Sequence, residues 1–165
     1  MSPAPPPRTT AVAKYLVVGY TGFLIVLLLG VLFQPGVLLL RDMAVLRHPA
    51  LHAGAVGFGD LPARNAPQDG ILALVGMVIP ASWFVRMLLV GSAAAGAWGA
   101  ATLATPAGRN SVAFRQVAAI TVTVWNPFVV ERLLQGQWSV AMVAWLLPAV
   151  VACHTHPAWQ VSTIW

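Results

Sequence analysis

Residues 15–40 run for 26 positions without one charged side chain. The hydrocarbon core of a bilayer is about 30 Å thick, so roughly 20 apolar residues cross it as a helix rising about 1.5 Å per residue. In that medium every backbone N–H and C=O must be paired within the segment, which makes helix the form such a run takes. Residues 15–33 are the cleanest part, with Lys14 before them and Gln34-Pro35-Gly36 after. They outrun the apolar core of about 7–15 residues found in a secretory leader and end without a small-residue cleavage site, so they read as an anchor.

The rest of the chain repeats the pattern. With 59% hydrophobic and 8% charged residues in a length of 165, and a mean hydropathy of +0.80, there is too little polar surface to cover a water-soluble globule. The fold class is all-α, a multi-pass helical membrane protein of about four transmembrane helices. The second span falls at about 84–105, in the uncharged interval between Arg86 and Arg109, closed by the turn signal Thr105-Pro106-Ala107-Gly108. The third is expected over 111–128, ending where Asn126-Pro127 interrupts the backbone ladder. The fourth covers 137–153, with Pro148 as an internal kink. Residues 71–82 are apolar but too short to cross, and predict a helix at the interface within the first loop, leading into Trp83. Residues 1–13 read as a disordered tail and 154–165 as a second tail. In the second span Gly91, Ala95 and Gly99 recur at every fourth position and predict a smooth face for a helix neighbour.

The net charge of +5 does not point to nucleic acid, because the eight arginines and single lysine are scattered between apolar runs and form no stripe. Positive charge is better explained by topology. A cytoplasmic N-terminus leaves Arg8, Lys14, Arg109 and Arg115 inside with no acidic residue, as the positive-inside rule requires. Both termini are then cytoplasmic, and all four carboxylates, Asp42, Asp60, Asp69 and Glu131, lie on the external face. One lysine against eight arginines amid abundant Ala and Gly is the usage of a GC-rich bacterial genome, so the membrane expected is the bacterial cytoplasmic membrane.

That face holds the candidate chemistry. Asp42 follows Arg41 just past the first span. It is either a pair marking the water boundary or a general base toward a hydroxyl. The stretch "NPFVVERLLQGQW" gathers Glu131, Arg132, Gln135, Gln137 and Trp138 at a helix-breaking connection. These offer acid, base, amides and an aromatic ring, the mixture that sugars favour, while Trp125 and Trp138 also fit membrane-belt anchors. His48 and His52, four apart, could share a helix face but have no third ligand at a metal-binding spacing. Cys153, His154 and His156 lie in a proline-flanked tail, and a single cysteine allows no internal disulfide. No phosphate-cradling glycine loop or serine-hydrolase elbow is present.

An uncharged first helix ending at an external acid, an interfacial segment in the first loop, and the second loop "WNPFVVERLLQGQW" together resemble the N-terminal part of actinobacterial GT-C glycosyltransferases. These are integral membrane enzymes similar to the mannosyl- and arabinosyltransferases that build the cell envelope. The resemblance covers about residues 13–150 and implies sugar transfer from a polyprenyl-phosphate donor to a glycan or glycolipid acceptor. By resemblance the family's essential first-loop carboxylate maps to Asp42, read here as the base, and Arg132 with Arg64 are the residues expected to bind the phosphate. The family has at least twice as many spans, so the chain is expected to be a piece of a longer protein. No cofactor is expected, and a divalent metal is left open without a ligand cluster to hold it. A second reading, from another class, is a non-catalytic membrane subunit or transporter fragment held to its partners by the Gly91/Ala95/Gly99 face.

Overall fold

A computed structural model describes residues 8–58, 65–105 and 112–155. Helix α1 (Arg8–Leu29) runs on through a 3-10 turn (Gly30–Phe33). A two-stranded antiparallel hairpin follows, β1 (Leu38–Leu40) and β2 (Met43–Val45), with Leu38 opposite Val45 and Leu40 opposite Met43. After a second 3-10 turn (Ala53–Val56) come α2 (Gln68–Gly76), α3 (Ala81–Leu103), α4 (Val112–Val124), α5 (Pro127–Leu134) and α6 (Trp138–Thr155). Four segments are long and apolar enough to cross a membrane: Val12–Phe33, Ala81–Leu103, Val112–Leu134 and Trp138–Thr155. The protein is a multi-pass helical membrane protein. Much of its large apolar surface, including Leu16, Val26 and Phe114, faces outward, as it can where the surroundings are lipid.

Several boundaries differ from the sequence expectation. Helix α1 begins at Arg8, so residues 8–13, expected to belong to a disordered tail, are helical; no proline follows Pro7 to stop the ladder extending back from the span. Residues 1–7 and 156–165 lie outside the described residues, and with them most of both expected tails. Helix α3 begins at Ala81 behind Pro80, so Arg86 sits inside the helix and does not mark its boundary. The short helix of the first loop is α2, four residues ahead of α3, with Ile71, Leu74 and Met77 exposed along it and just past its end.

The third crossing is broken. Helix α4 has 13 residues, about 20 Å of rise, which is less than the hydrocarbon thickness. At the break, Asn126 caps α5 by accepting the Phe128 N–H on its Oδ1 at 2.9 Å, and Pro127 occupies the first helical position, where its missing N–H costs nothing. The break also frees carbonyls at the end of α4. The indole of Trp145, fully buried on α6, donates its Nε1–H to Val124 O at 3.3 Å. What reads as an external loop after residue 128 is therefore the helix α5 followed by a tight turn.

Helix α3 is the centre of the bundle and packs on α6, α4 and α1. Val85, Leu89, Ala93 and Ala97 are buried against Trp145, Ile120 and Leu24 among others. Its close contact with α6 runs through Gly96 and Gly99, where a Cβ would collide with the backbone of Trp145 and of Pro148–Ala149 respectively. This corrects the expected Gly91/Ala95/Gly99 face: Gly91 looks into open space and Ala95 is only half-buried. At about 100° per residue, Gly91 lies roughly 80° around the helix from Gly99, whereas Ser92 lies only about 20° from it. The face that packs is Ser92, Gly96 and Gly99, and it is filled within the chain. Polar side chains add two ties between helices. Tyr20 on α1 bonds to the Thr121 hydroxyl on α4 at 2.7 Å, and Gln116 on α4 donates to Ala101 O on α3 at 3.5 Å and to Thr105 Oγ1 just past its end at 3.1 Å.

Four crossings place both inter-helix connections that follow odd-numbered spans on one face. The hairpin and loop after α1 thus meet the α5–α6 turn. The start of α1 and the end of α6 lie on the opposite face.

Candidate functional site

The Arg41–Asp42 pair is the tip of the hairpin. Leu40 pairs with Met43, so only these two residues turn the chain, and Arg41 adopts φ 49°. Two-residue hairpin turns need positive φ because that twist matches the flanking strands. The hairpin is itself held at its base by Arg86. This guanidinium, 3% exposed, donates Nε–H to Leu32 O at 2.7 Å, and Nη2–H to Gln34 O at 3.0 Å and Gly36 O at 3.3 Å. It also lies 5.0 Å over the Trp83 ring. Arg86 thus satisfies carbonyls left open where the first helix ends, and the positive charge suits that end of the helix.

The tip sits directly on the turn between α5 and α6. The Asp42 N–H donates to Gln135 O at 3.2 Å. Gly136 has φ 80°, and a Cβ there would strike Leu40 O and the Met43 and Asp42 backbone nitrogens. Glycine is therefore required at 136 both by conformation and by contact. Around this junction the side chains form a closed circuit. Gln137 donates from Nε2 to Asp42 Oδ2 at 3.4 Å, and Arg132 donates from Nη1 to Gln137 Oε1 at 2.8 Å. Arg132 also pairs with Glu131 Oε1 at 3.2 Å, which accepts from Gln135 Nε2 at 2.9 Å, and the Gln135 carbonyl returns to Asp42. Arg132 further lies 5.3 Å over the Phe128 ring, and its buried Nε–H has no acceptor among the described residues.

Five of the sequence candidates, Asp42, Glu131, Arg132, Gln135 and Gln137, are thus brought together across 89 or more residues of chain between Asp42 and the rest. Trp138 is beside them but only 6% exposed, so it is floor and core, not an open stacking platform or a belt anchor. Trp125, 43% exposed, keeps the surface position of a belt residue. Arg64 and Asp60 lie outside the described residues. His48 and His52 share no helix face. They sit in irregular chain, where His48 Nδ1–H donates to Gly76 O at 2.6 Å and His52 Nδ1 accepts the Ala55 N–H at 3.2 Å. Among the described residues no group of three or more His, Cys, Asp or Glu is placed to hold a metal. Cys153 and His154 end α6 on the opposite face, where His154 bonds to Val150 O; His156 lies outside the described residues.

Beside the circuit is an open cleft of about 590 Å³, bounded by Arg41, Asp42, Asn65, Gln68, Asp69 and Gln137. Asn65, Gln68 and Asp69 were not legible as site residues. Asp69 reads in sequence only as one of the external-face carboxylates, ahead of the expected 71–82 helix, and nothing in its spacing from Asp42 links the two; in the structure it sits in the first turn of α2. Behind the circuit, on the bundle side, is an apolar slot of about 90 Å³ between the end of α1 (Leu28, Leu32), the hairpin (Leu40, Met43) and α5 (Val130, Leu133). The hairpin and α5 thus each present polar residues to the circuit and neighbouring apolar residues to the slot. An arrangement of this kind offers hydrogen-bonding groups for a polar head above an apolar recess for a hydrocarbon chain. No protein-family model, curated protein or solved structure matches the chain.

Proposed function

We propose that this chain forms the external-face part of a membrane glycosyltransferase that moves a sugar from a polyprenyl-phosphate donor to a hydroxyl of a cell-envelope glycan or glycolipid. The observation that carries the reading is the closed circuit between the hairpin tip and the α5–α6 turn, which joins Asp42 to Arg132 and Gln137 above an apolar slot. The orientation rests on charge. Placing Arg8, Lys14 and Arg115 on the cytoplasmic side leaves the described carboxylates Asp42, Asp69 and Glu131 on the cleft side, which is then external.

In this reading Asp42 accepts the proton of the acceptor hydroxyl as its oxygen attacks the anomeric carbon. The bond from that carbon to the phosphate oxygen breaks, and the lipid phosphate leaves with the electron pair. Arg132 holds the departing phosphate through charge-assisted hydrogen bonds. The isoprenoid chain next to the phosphate enters the slot between α1, the hairpin and α5. The reading follows the resemblance to GT-C enzymes in its donor and in the role of Asp42.

The test is transfer of radiolabelled sugar from a polyprenyl-phosphate donor by membranes carrying the complete protein. Asp42→Asn keeps the shape but cannot take the proton, and is expected to lower transfer by about 10²–10⁴-fold at unchanged protein level. Transfer at the unmutated rate would make Asp42 a hairpin-tip residue and nothing more.

A further inference from the structure

The 590 Å³ cleft is not isolated. A second cavity of about 310 Å³ lies between β2, the loop after it and α2, and the two share Ala44 and Asp69 as walls. The position of Asp69 between them is built by packing. Gly70, next to it, is buried so close to the 53–56 turn that a Cβ would meet Val56 Cγ1 at 2.7 Å and Ala55 O at 3.1 Å. Gly76 at the other end of α2 is pressed against Pro49 in the same way, a Cβ falling 2.9 Å from its Cδ. Helix α2 is therefore seated on the 47–56 loop, and its first turn carries the Asp69 carboxylate into the partition between the two cavities.

The two compartments differ in chemistry. The larger is walled mainly by planar polar groups, the carboxylates of Asp42 and Asp69 and the amides of Asn65, Gln68 and Gln137, with Arg41 as the single cation among its described lining residues. Carboxylates accept and amides both accept and donate, each through two positions, which matches neighbouring hydroxyls on a sugar ring and does not match a polyanion. The smaller is apolar on Leu46, Pro49 and Leu72, with His52 and Asp69 as its polar groups. His52 Nδ1 is an acceptor for the Ala55 N–H, so the neutral ring carries its proton on Nε2. That compartment thus offers one donor, one acceptor and apolar walls suited to the C–H face of a pyranose or furanose.

We infer that the two cavities form one groove for two consecutive sugar units of an acceptor glycan, with Asp69 as the binding residue at the junction between them. The inference rests on the glycosyl-transfer reading and adds to it an acceptor at least two units long. In the groove the unit that reacts occupies the compartment of Asp42, and the unit before it lies between Asp69 and His52. Asp69 is a specificity-determining residue here and takes no proton in the reaction.

The test is equilibrium binding to the complete protein in nanodiscs, using the methyl glycosides of mannose, arabinofuranose and glucose and the matching disaccharides as probes. For at least one sugar the disaccharide is expected to bind about tenfold more tightly than the monosaccharide, as one added hydrogen bond to a charged group would give. His52→Asn should remove that advantage and leave monosaccharide binding unchanged, and Asp69→Asn, at the wall the two compartments share, should remove the advantage as well. Asparagine at 52 can still accept the Ala55 N–H, so it deletes the Nε2 donor without dismantling the turn. If monosaccharides bind but no disaccharide gains, or if both variants keep the gain, the two-unit groove is wrong while the transfer reading stands. If no saccharide binds at all, the transfer reading falls and the groove with it.

Discussion

The backbone N–H of Asp42 reaches the carbonyl of Gln135 at 3.2 Å, so the tip of the first loop is fastened to the turn between α5 and α6 by main chain and not only by side chains. Main-chain fastening fixes the Asp42 backbone against that of the α5–α6 turn, whatever rotamers the side chains adopt. The contact depends on Gly136, whose missing side chain leaves room for the hairpin.

Gly136→Ala is accordingly expected to be among the most damaging small substitutions in the protein. A residue other than glycine at φ 80° costs on the order of 1–3 kcal/mol, and here the added Cβ also meets three backbone atoms of the hairpin. A lowered midpoint of thermal unfolding in detergent, together with faster hydrogen exchange at residues 38–45, is the expected result. An unchanged midpoint would mean that the hairpin does not rest on this turn.

The α3–α6 contact separates the glycines of α3. Gly96→Ala and Gly99→Ala should each lower the thermal midpoint, since the new methyl would collide with the α6 backbone, whereas Gly91→Ala should leave it unchanged or raise it slightly. Equal effects at Gly91 and Gly99 would contradict the packing described.

Trp145→Phe retains most of the buried ring and removes the indole N–H that Val124 O accepts. Leaving that carbonyl without a partner costs about 1–3 kcal/mol. Trp145→Phe should therefore be markedly less stable than the wild type in a chemical-denaturation series. Loss of stability no greater than that of an exposed Trp98→Phe control would show that the carbonyl finds another donor.

Arg86 supplies two nitrogens to three carbonyls at the base of the hairpin. Arg86→Leu strands those carbonyls, whereas Arg86→Lys keeps the charge but lacks the fork that reaches all three. The expected order of stability is arginine, then lysine, then leucine. The leucine variant should show the same increase in hydrogen exchange over residues 38–45 that Gly136→Ala produces. Equal stability of the three would remove Arg86 from the support of the site.

Orientation can be read from the native cysteine. Cys153 is exposed near the end of α6, on the face opposite the cleft, and Phe58 is 75% exposed on the cleft side. On intact cells an impermeant maleimide should leave Cys153 unlabelled and should label Phe58→Cys in a Cys153→Ser background. The reverse pattern would put the cleft in the cytoplasm.

By itself the sequence determined the class of the protein and most of its crossings. Hydrocarbon acts on each segment locally, so an uncharged run such as residues 15–33 must become a helix whatever its neighbours do. It also drew attention to Asp42 and to residues 131–138, because charged and amide groups at the ends of apolar runs are few. What it could not show is everything decided by contact between distant parts of the chain. Arg86 read as a boundary marker, since its three carbonyl partners exist only once α3 lies beside the end of α1. Gly91 and Gly99 looked alike until the bundle chose which side of α3 faces α6. Asp69, 27 residues from Asp42 in sequence, joins its cleft only because Gly70 and Gly76 let α2 settle on the loop beneath it. Burial in lipid is a property of single segments, whereas hydrogen bonding and close packing are properties of pairs, and the pairs are fixed by the tertiary structure.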